Sequence, residues 1–196
     1  MLANRYTALV DACSLADALR RNLLLALAEA EFFRVRWSGE IMNETERAIA
    51  RIAAAKGFSD ADARGARARA GMERAFEEAR VDGFEELLGA AAGLPDHGDH
   101  HVLAAALKTQ AQTIVTENLR DFPAAVLEPF GIEARSADDF IADTIALDIG
   151  RAVPAIRTMR ERLKLPAIEA ERLLRDMEAR GLVASAAILA PHVGSL

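Results

Sequence analysis

The chain has 196 residues, of which 52% are hydrophobic and 5% aromatic. This length and composition suit one domain with an appendage, or two small domains, and argue against a disordered chain. A net charge of −6 argues against a general nucleic-acid coating protein, because phosphate binding requires a basic surface. The single cysteine excludes an intrachain disulfide, and no stretch has the pattern of a signal peptide or a membrane span. We therefore expect a cytoplasmic protein with no membrane partner.

Short apolar runs and helical patterns alternate along the first two thirds of the chain. The runs that predict strands are "YTALV", "FRVRWS", "TIVT" and "IEARS". The segments that predict helices are "SLADALRRNLLLALAEA", the stretch from Ile41 to Gly57 with Ser38 as N-cap, "FSDADARGARARAGMERAFEEA" with Ser59 or Asp60 as cap, and "DHHVLAAALKTQ". Between the last two helices, "VDGFEELLGAAAGLP" predicts a loop that can include a turn of helix.

Strands that alternate with helices predict an α/β fold with a central, mostly parallel sheet covered on both faces. From Ala137 onward the pattern is helical, with interruptions at Gly150, Pro154, Pro166 and Gly181. We place a boundary near residue 147. The prediction is a domain over residues 1–147 and a C-terminal helical extension over residues 148–196.

Acidic and amide side chains fall where predicted strands end. Asp11 follows the first strand, Asp99 begins a helix, and Asn118 and Asp121 follow "TIVT", while Glu44 lies in an otherwise apolar-faced helix. Each acid alone could simply cap a helix. As a set near the carboxyl edge of a parallel sheet, oxygen ligands without thiolates suit Mg²⁺ or Mn²⁺, and their mutual repulsion would be costly without such a cation.

Three stretches resemble the PIN-domain ribonucleases, and more closely the VapC-type toxins of bacterial toxin–antitoxin pairs. They are "LVDACSLADAL", "RWSGEIMNETERAI" and "LPDHGDHHVLAAALKTQAQTIVTENLRDFP", and the resemblance covers about residues 6–140. It implies a three-layer α/β/α PIN-like fold, metal-dependent hydrolysis of RNA with Mg²⁺ or Mn²⁺, and neutralisation by a cognate antitoxin. Some longer VapC-like proteins are similar in carrying a helical tail after the PIN domain.

The resemblance assigns catalytic acids to three positions and leaves the fourth open. Asp11 matches the first acid of the family, Glu44 the second and Asp99 the third, with Asp96 as a nearby candidate metal ligand. The fourth acid is replaced by Asn118, which can coordinate through its carbonyl oxygen but brings no charge.

Two outcomes follow from that replacement. Either Asp121 supplies the missing charge or a second metal ion binds weakly. Thr116 is expected to orient a ligand or a water molecule. Ser38 either does the same or only caps its helix.

Other polar residues have competing interpretations. His97, His100 and His101 could bind zinc, but neither an HExxH pattern nor a cysteine set accompanies them. His100 stands where the family often has a basic side chain, and it either contacts phosphate or faces water. Cys13 could be a nucleophile, but a small buried residue is the simpler interpretation.

Arg64, Arg67 and Arg74 could bind an RNA backbone, yet a solvated helix face beside several glutamates is the more ordinary interpretation. The leucines that recur every four residues from Leu15 to Leu27 predict core packing first and a homodimer face second.

Two classes of function remain at this stage. The first is a metal-dependent endoribonuclease toxin. The second is a non-catalytic nucleic-acid- or protein-binding module acting through the C-terminal helices, because "LKLPAIEAERLLRDMEARGL" resembles part of a helix-turn-helix. The acid set favours the first. In either case the apolar faces of the tail should pack on the domain, on a second copy or on a partner.

Overall fold

A computed structural model describes residues 6–163 and 167–196 of the chain, so the interruption predicted at Pro166 lies outside the described residues. The strands are β1 (Thr7–Val10), β2 (Arg34–Ser38), β3 (Arg80–Val81), β4 (Thr113–Val115) and β5 (Glu133–Arg135). The α-helices are α1 (Ala12–Ala16), α2 (Ala18–Glu29), α3 (Gly39–Ala55), α4 (Ala61–Ala75), α5 (His100–Lys108), α6 (Ala124–Leu127), α7 (Ala137–Leu147), α8 (Ile149–Arg162), α9 (Ala170–Ala179) and α10 (Val183–Leu189).

The five strands form one parallel sheet in the order β3-β2-β1-β4-β5. Connections from β1 to β3 step one way across the sheet, and those from β3 to β5 step the other way. Because parallel crossovers are right-handed, their helices lie on opposite faces, which gives three layers. Every residue of β1 and β4 is buried, as expected for strands covered on both sides. The predicted α/β/α fold is confirmed.

Two local predictions need correction. The two-residue strand β3 lies where the predicted helix gives way to the predicted loop, with Val81 as the first residue of that loop, and it pairs with Trp37 and Ser38 of β2. A strand this short has no periodicity to detect. The single helix predicted from Ser14 onward is two helices that break at Asp17, whose backbone is extended and whose carboxylate accepts hydrogen bonds from the first turn of α2.

The leucine repeat and the Ser38 cap behave as the sequence predicts. Leu15, Leu23 and Leu27 are fully buried and Leu19 nearly so, so the repeat packs in the core. The hydroxyl of Ser38 accepts a hydrogen bond from the amide of Ile41 at 3.1 Å, at the start of α3. The predicted apolar face of α3 is buried only at this end of the helix. Ile52, one turn from its other end, is 41% exposed.

The C-terminal helices pack on the rest of the chain. Helix α8 lies against α2, and α10 lies against α7. Pro154 does not interrupt the pattern as predicted but lies inside α8, as the sixth residue of the helix. Gly181, with a positive φ of 80°, follows the end of α9, as predicted. None of the helices within residues 6–163 and 167–196 combines the length and apolarity needed to cross a bilayer.

Candidate active site

The candidate site lies where the order of the sheet reverses. Strands β1 and β4 are neighbours, with Val10 opposite Val115, and the connections that follow them leave in opposite directions. Their carboxyl ends therefore open a crevice between diverging loops, which is where ligands bind in open parallel sheets. Asp11 and Thr116 are the first residues beyond the two strands, so both stand at this crevice.

The carboxylate of Asp11 is buried and held in one orientation. Its Oδ1 accepts a hydrogen bond from the amide of Ala12 at 2.6 Å, and its Oδ2 accepts one from the hydroxyl of Thr116 at 2.8 Å. The thiol of Cys13 also donates to Oδ2, at 3.1 Å. Thr116 is fully buried, and its own hydroxyl oxygen accepts from the amide of Asn118 at 3.1 Å. The expected orienting role of Thr116 therefore has a defined target, which is Asp11.

Cys13 cannot serve as a nucleophile in this environment. Burial, and next the negative charge of Asp11, raise the pKa of the thiol to about 11. The group therefore stays protonated at neutral pH, and a thiol rather than a thiolate is a poor nucleophile. Its role is to donate to Asp11.

Three aspartates bring their carboxylate oxygens within 4.8 Å of one another. They are Asp96, Asp99 and Asp121. Asp96 caps the 3-10 turn over His97–Asp99, with its Oδ1 accepting from the amide of Gly98 at 2.7 Å. Asp99 immediately precedes α5 but makes no capping hydrogen bond.

Asp121 reaches the same place from the loop after β4. It lies in the 3-10 turn over Leu119–Asp121, and the side-chain amide of Asn118 donates to its Oδ2. The neutral Asn118 thus contacts the acid that the sequence analysis named as the substitute for the missing charge.

The pKa of Asp99 is raised from 3.8 to about 6. Burial is the largest cause, followed by the negative charges of Asp11, Asp96 and Asp121. The Oδ2 atom of Asp99 is buried and has no hydrogen-bond partner among the described residues. A buried, unpartnered carboxylate oxygen among other carboxylates is what a hard divalent cation would satisfy. The residues present therefore fit Mg²⁺ or Mn²⁺.

A groove of about 920 Å³ opens over these residues. Asp11, Glu44, Asp99 and Asn118 all line it. Glu44 enters from α3, with its Oε1 at 3.3 Å from Nε2 of His101 on α5. Burial lowers the pKa of His101, but Glu44 and then Asp11 outweigh that effect and leave it above the usual value. The negative charge of Glu44 therefore favours the protonated form of the His101 imidazole.

Among the described residues, Ser38 and the histidines do not have the orienting and zinc-binding roles in the site that were considered from the sequence. Ser38 is fully buried, and its hydroxyl is engaged in the α3 cap rather than directed to the groove. The rings of His97 and His100 lie 4.7 Å apart. Among the described residues the only group of three candidate ligands is aspartate, so the histidines form no zinc site there.

The arginines predicted as an RNA contact lie elsewhere. Arg64 and Arg67 each pair with Asp60 at 2.7 Å, and the Arg64 guanidinium stacks 3.8 Å over the ring of Phe58. Both line a separate cavity of about 350 Å³. Arg74, near the end of α4, lines neither cavity. A role in RNA binding stays a prediction for all three.

Three further residues near the site were not predicted from the sequence. Arg47 and Arg51 line the groove from α3, and their spacing of three and seven from Glu44 was a signal that could have identified them. Glu117, beside Thr116, turns away from the groove. Its Oε1 accepts from the amide of Ala137 at 3.0 Å, and its Oε2 lies 3.3 Å from Nη2 of Arg20. No sequence signal separates this acid from the acids at the site.

Comparison with known proteins identifies the family. Residues 7–120, which are 114 of the 196 residues, match the PIN domain. The chain therefore belongs to the PIN-domain family. Residues 137–191 match the VapC50 C-terminal domain, so the extension is of the VapC50 type. This second match includes α7, whereas the sequence analysis placed the boundary near residue 147, and that boundary stays a prediction.

One curated relative carries the name "Putative ribonuclease VapC50" and comes from Mycobacterium tuberculosis. The two proteins are 42% identical over 66 residues, a stretch that covers 33% of this chain and 37% of the relative. No solved structure gave a significant match.

Proposed function

We propose that this protein is a metal-dependent endoribonuclease and the toxin of a VapC-type toxin–antitoxin pair. The observation that carries the proposal is the acid cluster at the carboxyl edge of a PIN-family sheet, where Asp99 has a raised pKa and a buried oxygen atom with no partner among the described residues. Perturbed acids in a cleft are typical of functional sites. The name of the VapC50 relative supports RNA as the substrate.

Asp96, Asp99 and Asp121 would hold the cation, with Asp11 and the carbonyl oxygen of Asn118 as further ligands. A bound Mg²⁺ or Mn²⁺ would supply a water molecule of lowered pKa and stabilise negative charge on the scissile phosphate.

Hydrogen bonds hold the side chains of the site in position before any ligand binds. Thr116, Ala12 and Cys13 fix the carboxylate of Asp11 by three hydrogen bonds, so little reorganisation is needed on binding. Glu44, held beside His101, is the group we assign to accept a proton within the groove. Asp121 replaces the missing fourth acid, and Asn118 orients it.

We further propose a cytoplasmic location and neutralisation by a cognate antitoxin. The similarity of residues 137–191 to the VapC50 C-terminal domain supports the antitoxin, and the single cysteine supports the location, because disulfides are rare in a reducing cytosol. A homodimer is also part of the proposal. The repeat from Leu15 to Leu27 is used in the core, so a dimer would need a different surface.

The deciding experiment is incubation of the purified protein with assorted single-stranded RNAs, with Mn²⁺ and with EDTA. We expect cleavage only with the metal, and its loss in Asp11→Asn. Asp143→Asn is the matched control, because Asp143 is exposed and pairs with Arg135. Unchanged metal-dependent cleavage by a folded Asp11→Asn variant contradicts the proposal.

A further inference from the structure

We propose that Arg47 and Arg51 bind the backbone phosphates of single-stranded RNA along the groove. This inference rests on the proposed function, since it assigns the substrate contacts of the same site. The two residues lie on α3, at three and seven positions beyond Glu44. These spacings place all three side chains on one helix face, and the two arginines are about 6 Å apart along the helix axis.

The charges that line the groove show why such contacts are needed. Five carboxylates line it, and they would repel a phosphate chain. They are Asp11, Glu44, Glu46, Asp62 and Asp99. Metal binding at the sheet edge would offset the charges of Asp11 and Asp99 only, because the acids of α3 and α4 belong to the opposite wall.

Arg47 and Arg51 are the two basic residues among the described residues that line the groove. Both are exposed, and neither forms an ion pair or a side-chain hydrogen bond within the described part of the chain. Glu46, which could have neutralised them, instead pairs with Arg69 at 3.1 Å. Their guanidinium groups are therefore available to a ligand, and guanidinium is well suited to phosphate.

The second set of arginines provides the contrast. Arg64 and Arg67 share the carboxylate of Asp60, so much of their charge is already offset. They also line a cavity on the other face of α3, where Ile52 and Lys56 contribute, rather than the groove that contains the acids. A phosphate chain that passes the acid cluster meets Arg47 and Arg51 first.

The test measures how salt changes kcat/KM for cleavage of a single-stranded RNA with Mn²⁺. Phosphate contacts release counterions, so each one adds about 0.7 to the slope of log(kcat/KM) against log salt on a single strand. We expect Arg47→Gln/Arg51→Gln to flatten the slope by about 1.4 and to raise KM at least about 10-fold, with a smaller change in kcat. Lysine at both positions should restore the slope, because it keeps the charge.

The matched control is Arg34→Gln/Arg175→Gln, which removes two exposed charges away from the groove. Arg34 begins β2, so it lies at the opposite edge of the sheet, and Arg175 lies on α9. This control should keep the slope of the wild type. An unchanged slope in folded Arg47→Gln/Arg51→Gln overturns the inference, as does a larger loss in Arg64→Gln/Arg67→Gln. If the wild type cleaves RNA, these outcomes leave the proposed function intact, and if it cleaves none, both proposals fail.

Discussion

Two polar regions of the molecule differ in how their acidic side chains are surrounded. At the sheet edge, Asp96, Asp99 and Asp121 place charges of the same sign within 4.8 Å, and an oxygen of Asp99 has no partner among the described residues. At the junction between the C-terminal helices and the rest of the chain, acidic side chains accept hydrogen bonds. The carboxylate of Asp138 accepts from the amides of Ala184 and Ser185, both at 2.9 Å, and from the hydroxyl of Ser185 at 2.7 Å.

The junction has further pairs of the same kind. Arg162 donates two hydrogen bonds to Glu29, at 2.6 and 3.0 Å, and Arg180 pairs with Asp17. Satisfied polar groups stabilise a fold, whereas clustered like charges destabilise it and are characteristic of functional sites. We therefore expect substitutions at the junction to lower the stability of the fold, and substitutions at the sheet edge to lower the activity. Each prediction below tests that division.

The largest expected effect is that of Asp99→Asn on activity. The substitution removes a charge that we assign to the cation, so kcat/KM with Mn²⁺ should fall by more than about 100-fold, the upper loss seen for residues that only support a ligand. The same variant should unfold at higher urea concentration than the wild type in EDTA, because repulsion within the cluster is relieved. A variant that lost both activity and stability would show that Asp99 is structural.

Asp138→Ala should show the opposite pattern. Its carboxylate caps the start of α10, and Ser185 is fully buried, so its loss leaves buried donors unsatisfied. We expect the free energy of unfolding to fall by about 2 to 3 kcal/mol, with RNA cleavage unchanged below the transition. Urea unfolding measures the change. Asp143→Ala, which removes an exposed acid, should cost at most about 1 kcal/mol. Equal losses in the two variants would contradict the role of the junction.

The stability of the metal-free protein should depend on pH through Asp99. Because its pKa of about 6 lies above the ordinary 3.8, the folded chain holds a proton that the unfolded chain has released. Stability should therefore fall as the pH rises from about 4 to about 6, by about 1 kcal/mol after allowance for solvent screening. Melting temperatures in EDTA, compared between wild type and Asp99→Asn, measure this fall. Mn²⁺ at pH 7 should reverse it in the wild type only. Parallel pH profiles for the two proteins would exclude this assignment.

The smallest effect is expected at the exposed pair of Glu29 and Arg162. A double-mutant cycle with alanine at both positions should give a coupling of about 0.2 to 1 kcal/mol, reduced in high salt. The hydrogen bonds from Arg162 hold the pKa of Glu29 below its ordinary value. The coupling should therefore be present above pH 4.5 and disappear as the pH falls through the lowered pKa. A coupling that persists at pH 2 would need another explanation.

Some features of the fold and site follow from local sequence alone. The strand before Asp11 is a short apolar run, and Ser38 precedes an apolar periodic stretch, so both the strand and the cap could be predicted. The break at Asp17 could not, since the leucine spacing continues through it and only the capping contact shows the second helix start. Strand β3 depends on pairing with β2 and has no local signature.

The sequence by itself determined the parallel α/β architecture, because periodicity and turn residues act over a few positions. It also determined which acids follow strands, and that the expected fourth acid is an asparagine. Only the tertiary structure decided which of these acids meet, since residues as distant as Asp96 and Asp121 come together through the order of the strands. It also decided that Glu117 faces Arg20 and Ala137, and that the groove is lined by the helix face that carries Glu44, Arg47 and Arg51 rather than by Arg64 and Arg67. Neighbouring positions in the sequence look alike, and only packing determines which way each side chain points.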